Sequence, residues 1–305
     1  MKNKTIKYFG AALLAMFFWS FSFVWFKIAY LAYQPMTVIS FRLIIATTVF
    51  FTIAKFSGKL QLIRRKDLKI FVLMAFFEPF LYFMGESYGL MYVSSTVAAV
   101  IVATIPLITP FGAWYFFREK LSKANIAGLM VSFIGVCLVF FNQSFGFAAS
   151  PLGVALEFVA VFSTIGFTIL LKKLTTSYNT FTILSYQNLF GLIMFLPFWF
   201  VLESGQLVQT GFHPKAFYAI VKLAVFASVI AFFFFTYSVK NLGVNRTNVF
   251  INLIPVFVAV LAFLILGDRL SLQNMIGIGV TIAGLFLSQL KKRKRKDGSY
   301  PIYQA

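Results

Sequence analysis

Two stretches without a single charged residue, Ser87 to Phe117 and Ala124 to Leu156, set the strongest limit on how this chain can fold. A soluble domain cannot hide that much uninterrupted apolar surface, because its helices and strands must show a polar face to water. Only 11% of residues are charged and 60% are hydrophobic, far from the roughly 25% charged of ordinary soluble domains. The solvent for most of this chain is therefore lipid.

A bilayer-crossing helix needs about 17–25 apolar residues. Windows of that kind occupy residues 8–30, 36–55, 69–91, 95–117, 124–141, 151–171, 181–202, 217–240, 246–266 and 273–290. The expected fold class is an all-α integral membrane protein of ten transmembrane helices. The first window follows Lys2, Lys4 and Lys7 but is longer than a signal-peptide core and lacks a small-x-small cleavage site, so it reads as a retained helix. With an even number of spans both termini share one side. That side collects 22 of the 27 basic residues, including the segments Lys55–Lys69 and Lys291–Lys296. Positive charge accumulates on the cytoplasmic side, so both termini are expected there, with residues 291–305 forming a basic cytoplasmic tail. The net charge of +19 is accounted for by these helix ends and the anionic leaflet they face. The expected partners are a small-molecule substrate and membrane lipids, with no nucleic acid; oligomeric state stays open.

One cysteine (Cys137) and one histidine (His213) leave no set of Cys/His metal ligands and no disulfide framework. Cys137 reads as a packing residue and His213, before Pro214, as a solvated turn. No phosphate loop, nucleophile elbow or HExxH is present, so neither an enzyme nor a cofactor is expected.

The phrase Glu119-Lys120-Leu121-Ser122 returns as Asp268-Arg269-Leu270-Ser271. At that separation, 149 residues, Val100–Leu138 matches Val249–Leu287 at eleven ungapped positions, among them Pro106 with Pro255, Gly128 with Gly277 and Gly135 with Gly284. Lys27 aligns with Lys172 at a shift of 145. The chain thus divides into two five-span units, residues 8–141 and 151–290. Five is odd, so the second unit must run upside down relative to the first, the inverted-repeat organisation expected of a transporter with a central site. Ser122 and Ser271 read as N-caps of the fifth and tenth helices, and Gly128 and Gly277 as close-packing positions.

Phe18-Trp19-Ser20 with Phe23 and Lys27, then Pro35 and Phe41-Arg42, resembles the opening of an EamA-type domain. The two Pro…(Glu/Asp)-(Lys/Arg)-Leu-Ser segments resemble its fourth-to-fifth helix signature. The resemblance, to the EamA branch of the drug/metabolite transporter superfamily, covers residues 8–290. It implies a central cavity lined mainly by spans 1, 3, 4, 6, 8 and 9, a bacterial inner membrane, and export of amino acids or related small metabolites. The second copy departs early, with Thr164 where the counterpart of Trp19 would stand.

Ionisable groups inside spans are costly and therefore informative. Lys27, Arg42 and Glu157 are read as charge pairing or packing residues, with substrate contact an equal reading for Lys27. Glu78 and Glu86 lie eight residues apart, about 80° around a regular helix, and are candidates for ion coupling, Glu86 also for substrate binding. Pro79 after Glu78 disfavours regular helix there. Asn245, Asn248 and Asn252 share a face of span 9, where the first copy has Thr96, Ala99 and Ala103. Asn248, Asn252, Trp19 and Tyr237 complete the substrate-binding candidates. Uptake by the same fold, and a scaffold or sensor without turnover, remain open alternatives.

Overall fold

The computed structural model describes residues 2–106, 108–109, 123–140, 150–267 and 271–288. Every regular element among them is helical. We number the main helices α1 (Lys2–Ala29), α2 (Pro35–Phe56), α3 (Arg65–Tyr92), α4 (Ser95–Val102), α5 (Lys123–Phe140), α6 (Pro151–Leu174), α7 (Thr180–Leu202), α8 (Pro214–Leu242), α9 (Ile254–Leu261) and α10 (Leu272–Ser288). Six of them, α1, α2, α3, α6, α7 and α8, are long and apolar enough to cross a membrane. Large apolar side chains such as Phe162, Ile193, Phe200, Phe263 and Phe286 stand exposed on outer faces. Water would oppose that exposure and hydrocarbon does not.

Local chemistry sets the helix starts. Ser94, Ser150 and Asn179 accept from the backbone N–H three residues on, at 3.2, 3.5 and 3.0 Å, satisfying donors that a first turn leaves unpaired. Pro35, Pro151 and Pro214 occupy the first turns of α2, α6 and α8, where the missing N–H costs nothing. Exposed His213 accepts from the Ala216 N–H at 3.4 Å, so the solvated turn read from the sequence also starts α8. Ser271 accepts from the Asn274 N–H at 3.1 Å, the cap its spacing predicts. Its counterpart Ser122 lies outside the described residues, as do Glu119, Lys120, Asp268 and Arg269.

Helix pairings come in matched sets. α1 packs on α8 and α9 as α6 packs on α3 and α4, while α2 meets α8 as α7 meets α3. Three further pairs, α2–α7, α4–α9 and α5–α10, each join a helix to its own counterpart. The α5–α10 seam is the tightest. A Cβ on Gly135 would lie 2.8 Å from the Gly277 carbonyl oxygen and collide with the Thr281 backbone; one on Gly284 would lie 2.7 Å from the Gly128 oxygen and collide with the Ser132 backbone. Late residues of each helix face early residues of the other, so the pair is antiparallel, and these glycine contacts are equivalent at the 149-residue shift. Bare Cα atoms let the two backbones approach this closely.

Two long helices are interrupted at matched places. α3 widens over Phe76–Leu81 and α8 over Leu223–Ala231. In α3 the cause is Pro79: Glu78 leaves helical geometry altogether (φ −148°, ψ 116°), as a residue before proline tends to do. Gly191 on α7 makes room for the displaced turn, since a Cβ there would sit 2.8 Å from Pro79 Cδ. The chain also turns at Ala103-Thr104 before Pro106 and tightens to a 3-10 helix over Val249–Leu253 before Pro255.

Candidate functional site

Between the interrupted turn of α3 and the Phe232–Phe235 stretch of α8, the bundle holds a partly open cavity. α1, α3, α4, α6, α8 and the stretch leading into α9 all contribute to its wall, and α2 adds Arg42. Most of the lining is apolar and aromatic, including Phe23, Phe83, Phe167, Phe232 and Phe235; the ionisable members are Arg42, Glu78, Tyr82 and Glu86.

Most of the polar side chains are held from behind. Trp19 donates from Nε1 to the Ala227 carbonyl at 3.1 Å, and its ring lies 5.0 and 4.9 Å from those of Phe232 and Phe235. Ala227 stands in the widened turn of α8, so this bond ties α1 to that turn. Arg42 reaches the same turn, donating from Nε to Ser228 Oγ at 2.5 Å. Its guanidinium carbon sits 4.2 Å from the Phe83 ring centroid and 5.3 Å from that of Phe26, a cation–π setting. On α3, Tyr82 donates to Glu86 Oε1 at 3.2 Å, and Gln187 of α7 donates to the Glu78 carbonyl at 3.1 Å. Among the described residues neither Glu78 nor Glu86 forms an ion pair with Arg42. Carboxylates and guanidinium share the space without closing on each other.

The cavity brings together Trp19, Glu78 and Glu86 of the sequence candidates and leaves others aside. Arg42, read from the sequence as a packing residue, stands in the wall. Tyr237 lies outside it, stacked on Phe233 at 6.4 Å and edge-on to Tyr8 at 5.5 Å. Asn248 and Asn252 are buried and do not line the space. Asn248 donates to Thr109 Oγ1 at 3.4 Å, while both amide atoms of Asn252 lack a partner among the described residues; the Asn245 side chain is outside them. Lys27 donates to the carbonyls of Leu90 and, at 2.8 Å, Val93, so its charge meets the carbonyl end of α3, where helix dipoles favour a cation. Glu157 is buried tight against Gly89, whose added Cβ would lie 2.7 Å from Oε1, and neither of its oxygens has a hydrogen-bond partner among the described residues.

Tyr82, Ser228 and Gln187 were not singled out by composition or motif. A signal for two of them existed. The shift of 145 that pairs Lys27 with Lys172 also pairs Arg42 with Gln187, and the shift of 149 pairs Glu78-Pro79 with Ala227-Ser228. Arg42 and Gln187 are thus equivalent side chains bracing equivalent turns. The same shift sets Glu86 against Phe235, so the carboxylates and the guanidinium all come from the first copy and their counterparts are neutral. Thr164 and Phe167 nevertheless place α6 in the wall.

Comparison with known proteins gives this cavity a context. The EamA-like transporter family matches residues 6–141 and again 151–290. An uncharacterized transporter of Archaeoglobus fulgidus is 25% identical over 279 residues, covering 92% of this chain and 97% of its own. The uncharacterized transporter YetK of Bacillus subtilis is 24% identical over 240 residues, covering 78% and 72%. A crystal structure at 15% sequence identity superposes with a TM-score of 0.67 over 92% of this chain and 95% of the other, a likeness of fold.

Proposed function

Because the chain belongs to the EamA-like transporter family, we propose that it is an inner-membrane exporter of amino acids or related small metabolites working by alternating access. In this reading two inverted five-helix halves, ten spans in all, with both termini cytoplasmic, rock about the α5–α10 seam and expose the central cavity to one side at a time. The observation that carries it is the cavity itself: a mid-bundle space bounded by helices of both repeats, apolar in its walls, with ionisable groups converging on it. That is the form of a small-molecule site.

Proton coupling is assigned to Glu86 and Glu78, whose depth makes them the groups able to gain or lose a proton within reach of a solute. Trp19 supplies an aromatic wall. Asn248 and Asn252 are assigned to another state of the transport cycle, since Asn252 holds hydrogen-bonding capacity that has no partner among the described residues here and a buried amide without a partner is costly. Tyr237 is assigned to the same state, at the cytoplasmic end of the path.

The test is solute counterflow in proteoliposomes containing the purified chain. A non-transporting scaffold gives none with any amino acid or amine. If Glu86→Gln and Glu78→Gln both leave proton-driven flux unchanged, the coupling assignment is wrong. Flux that runs down an inward gradient and never outward in oriented vesicles sinks export.

A further inference from the structure

We propose that the central cavity selects a solute carrying one net positive charge, an amine on a compact apolar or aromatic body, over the zwitterionic, neutral and anionic forms of the same body. The proposal rests on the reading above that the cavity is where the transported solute sits.

It follows from the charges and from how each is held. Counted as ionised, Glu78 and Glu86 bring two negative charges to the cavity and Arg42 one positive. Arg42 offsets one carboxylate through space and has little left for a solute carboxylate. Its Nε is committed to Ser228, its plane is held by Phe83 and Phe26, and its Nη1 is buried with no hydrogen-bond partner among the described residues, so Nη2 alone remains to meet a solute. The two carboxylates offer more: Tyr82 takes one oxygen of Glu86, and the Glu78 carboxylate accepts no hydrogen bond among the described residues. The other ionisable groups nearby, Glu157 and Lys27, are of opposite sign and cancel in this balance. Glu157 lies behind Gly89 and Lys27 at the end of α3, neither lining the space. One negative charge is therefore left over in surroundings of low dielectric, where it must be neutralised by a proton or by a bound cation that takes the proton's place. An ammonium group brings the sum to zero, and the rings of Trp19, Phe232 and Phe235 suit both a cation and an apolar body. A zwitterion leaves the surplus in place unless a proton enters with it, and an anion doubles it.

Two series test this, each with one body in four charge states: phenethylamine, phenylalanine, phenethyl alcohol and phenylacetate, then isoamylamine, leucine, isoamyl alcohol and isovalerate. Thermal stabilisation of the purified full chain reads binding, and counterflow reads transport. The amine of at least one series should half-saturate stabilisation at a concentration on the order of tenfold or more below its partners. Glu78→Gln or Glu86→Gln leaves one carboxylate to one guanidinium and should move the preference from the amine to the amino acid. A purely structural role would instead weaken all ligands alike, and that result overturns the proposal. So do an amino acid that binds as well as its amine and a failure of both amines to stabilise the wild-type chain. Amine-selective binding without counterflow would sink transport and leave this inference standing; counterflow of amino acids in preference to amines would do the reverse.

Discussion

The α5–α10 seam can be tested within a single helix. Gly284 and Gly279 both lie in α10, yet a Cβ on Gly284 would press into the backbone of Ser132 and the carbonyl of Gly128, whereas one on Gly279 meets nothing within 4 Å. Backbone atoms cannot rotate aside, so Gly284→Ala must push the helices apart or bend one of them. Overpacking of this kind costs about 1–3 kcal/mol. Alanine is also a better helix former than glycine by up to about 1 kcal/mol, but that gain is common to both variants and cancels in their difference. Gly284→Ala should therefore fall about 1–3 kcal/mol below Gly279→Ala, which should match or exceed the parent. Gly135→Ala meets the equivalent obstacles at Gly277 and Thr281 and should lose a similar amount. Unfolding of the purified chain in mixed micelles, followed by tryptophan fluorescence against denaturing detergent, measures all three. Equal stability of Gly284→Ala and Gly279→Ala would show the seam is not packed as described. A large inequality between Gly135→Ala and Gly284→Ala would break the equivalence of its two sides.

Three further outcomes are expected. Glu203→Ala removes the carboxylate that accepts from the Met36 and Thr37 N–H groups at 3.1 and 2.7 Å, orphaning donors at the start of α2, and should lower stability by about 1–3 kcal/mol in the same unfolding assay. Trp19→Phe keeps a ring in the cavity but leaves the Ala227 carbonyl without its donor; a loss of about 1–3 kcal/mol follows, and solute affinity should fall less than for Trp19→Ala. Arg42→Met deletes the only cation in the cavity wall among the described residues and leaves two carboxylates unbalanced, so its yield and melting temperature should drop. Adding Glu86→Gln should recover part of that loss, a coupling that independent sites would not give.

Much of the fold is legible in the sequence because lipid imposes a simple rule: backbone groups must pair within the helix, so apolar runs of sufficient length become helices. The start of α6 at Pro151 and of α8 at Pro214, and the cap at Ser271, follow from residue chemistry alone. Glu78 and Glu86 were visible because a carboxylate in an apolar span has few reasons to be there. Gln187 and Ser228 were not, because an amide or hydroxyl in a helix is commonplace; only the repeat offset marks them. Arg42 reads as a pairing or packing residue, and its actual partners are hidden for a different reason. Its charge suggested pairing with a carboxylate, whereas rings of Phe83 and Phe26 and one hydroxyl hold it instead, and aromatic neighbours are hard to single out in a chain with 42 phenylalanines.

The equivalence of Arg42 and Gln187 bears on why one chain carries both halves. In an assembly of two identical five-helix subunits, every substitution is made twice, at the bearing surface and at the binding face together. Such a subunit could not acquire Arg42 without placing a second guanidinium across the axis, nor Glu78 and Glu86 without doubling them. Covalent linkage frees each face to change alone. The surfaces of the α5–α10 seam stay self-matching through Gly128, Gly135, Gly277 and Gly284, while the charged groups of the cavity wall come from the first copy only, among the described residues. A chimera built from two first halves should keep its hinge and lose its discrimination.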